Sequence, residues 1–358
     1  MSVSMPVRPT QDAAPVGRPG YRPLPTWVPY ALLAAAVVLA LLVRALVGGG
    51  PIATALVTAV LFGLLLNLAS RRTEGRRRAT DRTVTTVVTV AFLAALVPLV
   101  SLLYTVIGRG VARFDVDFFN LTMRNIVGEG GGARHAILGT LIITALASVI
   151  SVPVGLFTAI YLVEYGRGRL ARAVTFLVDV MTGIPSIVAG LFAYALFVLI
   201  VGPGVRFGIG GAIALSVLMT PVVIRASEEM LKLVPAELRE ASYALGVPKW
   251  RTIVKVVLPV AAAGIATGVT IAVARVIGET APLLLIVGTS RSLNLDPFNG
   301  RMETLPVFVF YSFTQPGVPP QAGIDRAWAG ALVLMIIVVL LNVVARLIGK
   351  AFAPKGAR

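Results

Sequence analysis

Arg275 stands in an otherwise apolar run, within Arg275-Val276-Ile277-Gly278-Glu279-Thr280-Ala281-Pro282-Leu283. A charge near the centre of a membrane span costs roughly 2.5–3.5 kcal/mol on insertion scales. A residue in that position requires a partner or a task. Glu279 follows four positions on, on the same face of a helix, with Thr280 beside it. Asp179 is a second acidic candidate, just before the break Thr182-Gly183-Ile184-Pro185-Ser186. Two chemistries fit these residues. In one, Arg275 pairs with Glu279 or Asp179 and fixes helix register. In the other, the guanidinium presents a fork of donors to a tetrahedral oxyanion on its way across a membrane. The two are compatible, since a carboxylate can hold the arginine until an anion displaces it. Gly278 and Pro282 predict an irregular backbone, which is tolerated where it lines a cavity. Pro185 and Ser186 mark a similar break, a helix interruption that can border the same path. Arg225 closes another apolar run and reads either as an exit-side contact or as a snorkelling interfacial residue.

Catalysis finds little support. The pattern G-x-x-x-x-G-K-[ST] is absent, so the chain is not expected to bind ATP by that route. G-x-S-x-G and H-E-x-x-H are absent too. The single histidine, His135, is expected at a loop-to-helix boundary. With no cysteine, disulfides are excluded and a His/Cys metal site is not expected.

The elements that must position these residues are membrane helices. The chain has 358 residues, of which 57% are hydrophobic and 13% charged, and its mean hydropathy is +0.90. That composition belongs to a polytopic all-α membrane protein. The net charge of +16 is read as loops facing anionic lipid rather than nucleic acid. Residues 1–26 read as a disordered cytoplasmic tail. The first apolar run is longer than that of a cleavable leader, so it is expected to be a span. Spans are expected at 27–47, 52–69, 84–107, 136–163, 173–201 (interrupted at 182–186), 211–224, 260–287 and 327–347. Residues 27–75 form a hairpin added to a core at 76–350, and 351–358 are a basic tail. Arg71, Arg72, Arg76, Arg77, Arg78 and Arg82 cluster after the hairpin and read as a topology signal. With the N-terminus inside, 22 of the 32 Lys and Arg fall in cytoplasmic segments and nine in outer ones. Both termini and the segment 225–259 are therefore expected in the cytoplasm.

That segment, Arg225 to Pro259, is the longest polar break in the second half. Pro235 suits a first helical turn and Gly246 a left-handed C-terminal cap, which bounds a short helix over 236–245. A second helix is expected after Pro248, with Trp250, Ile253, Val254, Val257 and Leu258 on one face. Pro259 marks re-entry into the membrane. Glu240-Ala241-Ser242, Gly246 and Val256-Val257-Leu258-Pro259 follow the spacing E-A-A-x-x-x-G-(nine)-[IV]-x-L-P. This resembles the EAA loop of ABC-importer permeases, with Ser242 replacing the third core residue. Gly139-Thr140-Leu141, Tyr161-Leu162-Val163-Glu164-Tyr165, Gly183-Ile184-Pro185-Ser186 and the Arg275–Leu283 segment occur with it in one order. Together they resemble phosphate ABC-importer permeases of the PstA type over roughly residues 80–350.

The resemblance implies a six-helix importer core in a bacterial plasma (inner) membrane. It implies a homologous second permease subunit and two cytoplasmic ATPase subunits, which carry the ATP and Mg and dock at Glu240 and Gly246. It implies an extracytoplasmic phosphate-binding protein meeting the loops 108–135 and 288–326. Arg275 and Arg225 would attract phosphate, and no cofactor would bind this chain. Transport of another oxyanion, molybdate or sulfate, and a non-transporting scaffold or sensor are the alternatives.

Overall fold

The computed structural model describes residues 24–352; the rest of the two expected tails lies outside the described residues. The described chain is helical throughout, with no strand among the described residues. Among the described residues, seven helices are long and apolar enough to cross a membrane, or eight if one bent pair is a single span. The expectation of about eight spans therefore holds.

Two compact units are found, one reaching to Leu103 and one starting at Tyr104. In the first, α1 (Val28–Val47) and α2 (Pro51–Thr73) form a hairpin. The chain reverses through Gly48 and Gly49, both with positive φ, and Pro51 starts α2 at a position where its missing N–H is no loss. Helix α3 (Arg76–Gly110) follows Glu74. The Glu74 carboxylate is buried and accepts from Arg82 Nε at 2.7 Å and Nη2 at 2.9 Å, from Ser70 Oγ at 2.7 Å and from Leu24 N at 2.8 Å. Its bonds to the Arg82 guanidinium hold it well below the usual carboxylate range, at about 2. One member of the arginine cluster is thus committed to an internal carboxylate.

The second unit is built around α8 (Gly208–Lys232). It packs between α5 (Arg134–Ile160), α7 (Ser186–Val201) and α11 (Leu258–Val276). Membrane helices gain no hydrophobic drive against one another, so close backbone approach carries the packing. Small residues supply it. A Cβ on Gly155 of α5 would lie 2.7 Å from Val223, and one on Gly268 of α11 would lie 2.6 Å from Ala226. Leu215, Met219 and Val223 fill the core between these contacts.

The interruption expected at 182–186 is a sharp one: α6 (Gly168–Thr182) and α7 meet at 109°. The short span expected at 211–224 is the core of the 25-residue α8, which runs on into the polar segment. The expected span 260–287 is broken. Helix α11 stops at Val276, and a short helix α12 (Ala281–Ile286) follows an irregular stretch at Gly278. The expected polar loop 288–326 contains an apolar helix, α13 (Leu305–Thr314), whose Leu305, Val307 and Phe308 are buried. The last span is α14 (Pro320–Phe352). A short helix α4 (Val116–Asn120) lies in the loop before α5, capped by Asp115, whose Oδ1 accepts from Phe118 N at 2.8 Å. His135 stands at the start of α5, the boundary expected for it, and is buried.

Candidate functional site

The polar segment folds as an elbow with a defined scaffold. Helix α9 (Ala236–Ala244) begins after Pro235 and ends at Leu245 and Gly246. Gly246 has φ +75°, Gly246 N donates to Tyr243 O at 2.9 Å, and Val247 N donates to Ser242 O at 3.2 Å. This is the glycine-dependent C-terminal motif that satisfies the last carbonyls of a helix. Ser242 is buried, and its Oγ lies 2.8 Å from Thr252 Oγ1 on α10 (Lys249–Thr252). The small third residue of the motif thus pins one arm of the elbow to the other. Glu240, Ala241 and Gly246 are exposed, as are Leu238, Tyr243, Leu245 and Trp250. The helix holds itself by its polar inner side and leaves an apolar and acidic outer side uncovered.

One clamp anchors the elbow to the helical core. Arg239 Nε and Nη2 both donate to Glu164 Oε1, at 3.0 and 2.9 Å, while Nη1 donates to Val234 O at 2.6 Å and Nη2 to Leu231 O at 2.9 Å. The Glu164 side chain is 5% exposed. Lys249 Nζ donates to the Glu164 main-chain oxygen and sits 4.8 Å from the Tyr165 ring centre. Glu164 belongs to a wide π-type turn, Tyr161–Tyr165, at the end of α5. A second such turn, Ile253–Val257, joins α10 to α11 just ahead of Pro259. Proline gives no N–H to the carbonyl four residues back, and a π-turn is a common local response to such a gap.

The second helix of the elbow therefore does not stop at Pro259: α10, the wide turn and α11 run on as one span from Lys249 to Val276. The single apolar face expected there is divided. Ile253 and Val257 are buried, whereas Trp250 and Val254 are 57% and 54% exposed.

The intramembrane charges need correction. Arg275 lies in the last turn of α11, not near the centre of a span, and is exposed. It makes no ion pair with Glu279 or Asp179, because the helix ends at Val276 and the shared face ends with it. Glu279 and Thr280 lie in the bend before α12 and are partly buried. A cation in the last turn suits the negative end of the helix dipole. Asp179 is engaged elsewhere, accepting from Arg225 Nη2. Arg225 Nη1 donates to Glu228 Oε2 at 2.7 Å, and Lys232 Nζ donates to Glu228 Oε1 at 2.6 Å. This chain of charges ties α6 to α8, so Arg225 is a paired residue. Pro185 precedes α7, Ser186 opens it, and Gly190 of α7 packs where a Cβ would lie 2.5 Å from Pro282 of α12.

Sequence reasoning missed Arg239, Glu228 and the anchoring role of Glu164. Arg239 and Glu164 are 75 positions apart, a separation no local pattern reports. The only available signal is that each sits inside a motif segment already singled out.

A helical bundle of this kind, with a polar elbow clamped to its core, is that of a multi-pass membrane protein. The chain belongs to the binding-protein-dependent transport system inner membrane components, whose family model matches residues 151–357, and it is a multi-pass membrane protein. It is 49% identical over 276 residues to the phosphate transport system permease protein PstA 1 of Mycobacterium tuberculosis, covering 76% of this chain and 90% of that one. It is 38% identical over 272 residues to the PstA protein of Pasteurella multocida, covering 76% and 95%. Among solved structures, a bacterial alginate ABC transporter, crystallised with an alginate-bound periplasmic protein, aligns with TM-score 0.54 over 78% of this chain and 97% of that one. At 14% identity, that likeness speaks for the fold alone.

Proposed function

We propose that this chain is a transmembrane subunit of an ATP-driven phosphate importer in a bacterial plasma membrane. The observation that carries the reading is the 49% identity to a phosphate transport permease over 276 residues. The geometry supports it. A homologous second permease subunit pairs with this one, and two cytoplasmic ATPase subunits, which bind the ATP and Mg, dock on the uncovered side of α9 around Glu240. The Arg239–Glu164 clamp passes their motion to α5. A phosphate-binding protein delivers substrate at the outer loops. Arg275 is exposed on a membrane helix of the single subunit, and a guanidinium facing hydrocarbon is costly. That cost favours an assembly in which Arg275 meets the translocation path formed with the second subunit, beside Glu279 and Thr280. The ion-paired Arg225 sits toward the elbow end of α8, where anion exit would pass.

Phosphate uptake by cells holding the intact complex tests this reading. Arg275→Gln should reduce uptake at least tenfold, the scale set by about 1.4 kcal/mol of lost interaction, while the subunits still copurify. Undiminished uptake removes Arg275 from the path. Uptake that is competed by molybdate or sulfate, and not by phosphate, replaces phosphate with another oxyanion. In the same assay Gly246→Val should uncouple ATP hydrolysis from uptake, because a β-branched residue resists the left-handed backbone at that cap.

A further inference from the structure

Arg326, near the start of α14, is 6% exposed and lines a cavity of about 250 Å³. The cavity lies at the end of the unit opposite the elbow, since Gly128 on its wall precedes the start of α5 and Glu164 of the elbow clamp follows that helix's end. Buried charges are normally paired with an opposite charge. Arg326 is not. Its Nη1 donates to the main-chain oxygens of Gly128 and Gly130, at 2.7 and 3.1 Å, and its Nε and Nη2 donate to no group among the described residues.

The carboxylates of Asp115, Asp325 and Glu303 are engaged elsewhere, and Glu129, between the two glycines, is exposed and is not among the charges acting on Arg326. Asp115 accepts from Arg113, and Asp325 accepts from Gln321 at 2.6 Å. Glu303 lines the same cavity, but its oxygens face His135 Nε2 at 3.1 Å and Thr289 Oγ1 at 2.8 Å. The charges acting on Arg326 through space are Arg113 and Arg291, of like sign, and Asp325, of opposite sign. Arg291 also lines the cavity, is exposed, and is bonded to no group among the described residues. Ser312 adds a hydroxyl to the wall.

We infer that this cavity is a second anion site, built for a phosphate-type oxyanion, with Arg326 as its buried cation and Arg291 as its accessible one. Two guanidinium groups with free donors offer the planar fork that oxyanions accept in pairs of bonds. The main-chain bonds to Gly128 and Gly130 fix Arg326 by one nitrogen and leave the other two for a ligand. The site lies in the outer loops where the proposed function has substrate delivered, but none of its residues is among those assigned to the path or to the elbow. Its oxyanion can be free inorganic phosphate or the phosphate of a lipid headgroup, and the chemistry of recognition is the same.

Hydrogen–deuterium exchange of the full chain with its partner subunits in nanodiscs separates these sources. The peptide covering residues 121–134 contains the two glycines that Arg326 holds, so the readout is local to the cavity. In neutral-lipid discs, inorganic phosphate at ten times its dissociation constant should slow exchange of that peptide about tenfold, and chloride at equal ionic strength should not. Protection in phosphatidylglycerol discs without added phosphate assigns the headgroup as the source and sustains the site. Arg291→Gln, an exposed and unbonded position, should abolish either protection in a folded protein, and Arg326→Gln should do the same. Equal exchange in phosphate, chloride and phosphatidylglycerol overturns the inference, as does full protection in Arg291→Gln. Because Arg275 is remote from the peptide in sequence and role, loss of uptake in Arg275→Gln with the protection intact would separate the two anion sites.

Discussion

Glu164 and Arg239 show how a single contact fixes a polar loop to the helical core. The Glu164 carboxylate has almost no access to solvent, so its charge depends on the two donors that Arg239 brings. Removing one partner of such a pair leaves a desolvated charge and costs about 3–5 kcal/mol when burial is complete. Arg239 is itself 17% exposed, which reduces the cost. Arg239→Ala should destabilise the detergent-solubilised protein by about 2–3 kcal/mol in thermal unfolding. It should also raise hydrogen exchange across α9 before it affects α8. Glu164→Gln keeps an acceptor on the same carbon and should cost less. If Arg239→Ala leaves α9 exchange unchanged, the clamp does not hold the elbow.

Among elements, the hairpin of the first unit carries a pH dependence that its sequence does not advertise. Glu74 titrates at 4.5 when unconstrained and at about 2 in the folded state. A carboxylate with a depressed folded value stabilises the fold above the unfolded value, and that stabilisation is lost as pH falls through the folded one. Melting of the α1–α2 hairpin should therefore become easier between about pH 4.5 and 2. Glu74→Gln should remove most of this dependence, read as the pH profile of thermal unfolding. The sign matters, because a raised folded value would give the opposite trend.

How far the elements could be read from the sequence depended on whether their boundaries are set locally. Helix α9 is legible because Pro235 and Gly246 fix both ends by backbone geometry alone. The break between α6 and α7 is legible for the same reason, from Gly183 and Pro185. The continuity of Lys249–Val276 is not, since Pro259 looks like a boundary until a wide turn accommodates it. Reading the span on to 287 sets Arg275 mid-span beside Glu279, whereas α11 ends at Val276 and leaves Arg275 in its last turn without that partner. Arg225 and Asp179 each stand out in the sequence, but their pairing across 46 positions is a tertiary fact. The cavity around Arg326 joins residues from Met123 to Arg326, and nothing in either segment alone announces it.

On the scale of the whole molecule, the charge asymmetry makes a topology that can be tested directly. The sequence holds no cysteine, so an introduced one is the only thiol. Leu245 on the elbow is 83% exposed and Val127 near the cavity is 91% exposed. With the elbow in the cytoplasm, a membrane-impermeant maleimide added to intact cells with a permeable outer envelope should label Val127→Cys and spare Leu245→Cys. In inverted vesicles the pattern should reverse. Labelling of Leu245→Cys from outside would place the elbow away from any ATPase.

The glycine-lined packing of α8 has a further result for assembly. More than half of the apolar stretch of this helix, 56%, is shut inside its own chain, against 33% for the span Arg134–Tyr165 and 22% for the span Lys249–Val276. Such a helix keeps hardly any surface to show a neighbouring molecule. Recognition between copies or homologues, and contact with the acyl chains, falls to the helices that surround it. Bifunctional crosslinkers scanned along residues 212–223 should stay intramolecular, while captures of a second chain concentrate on the outer faces of α5, α7 and α11.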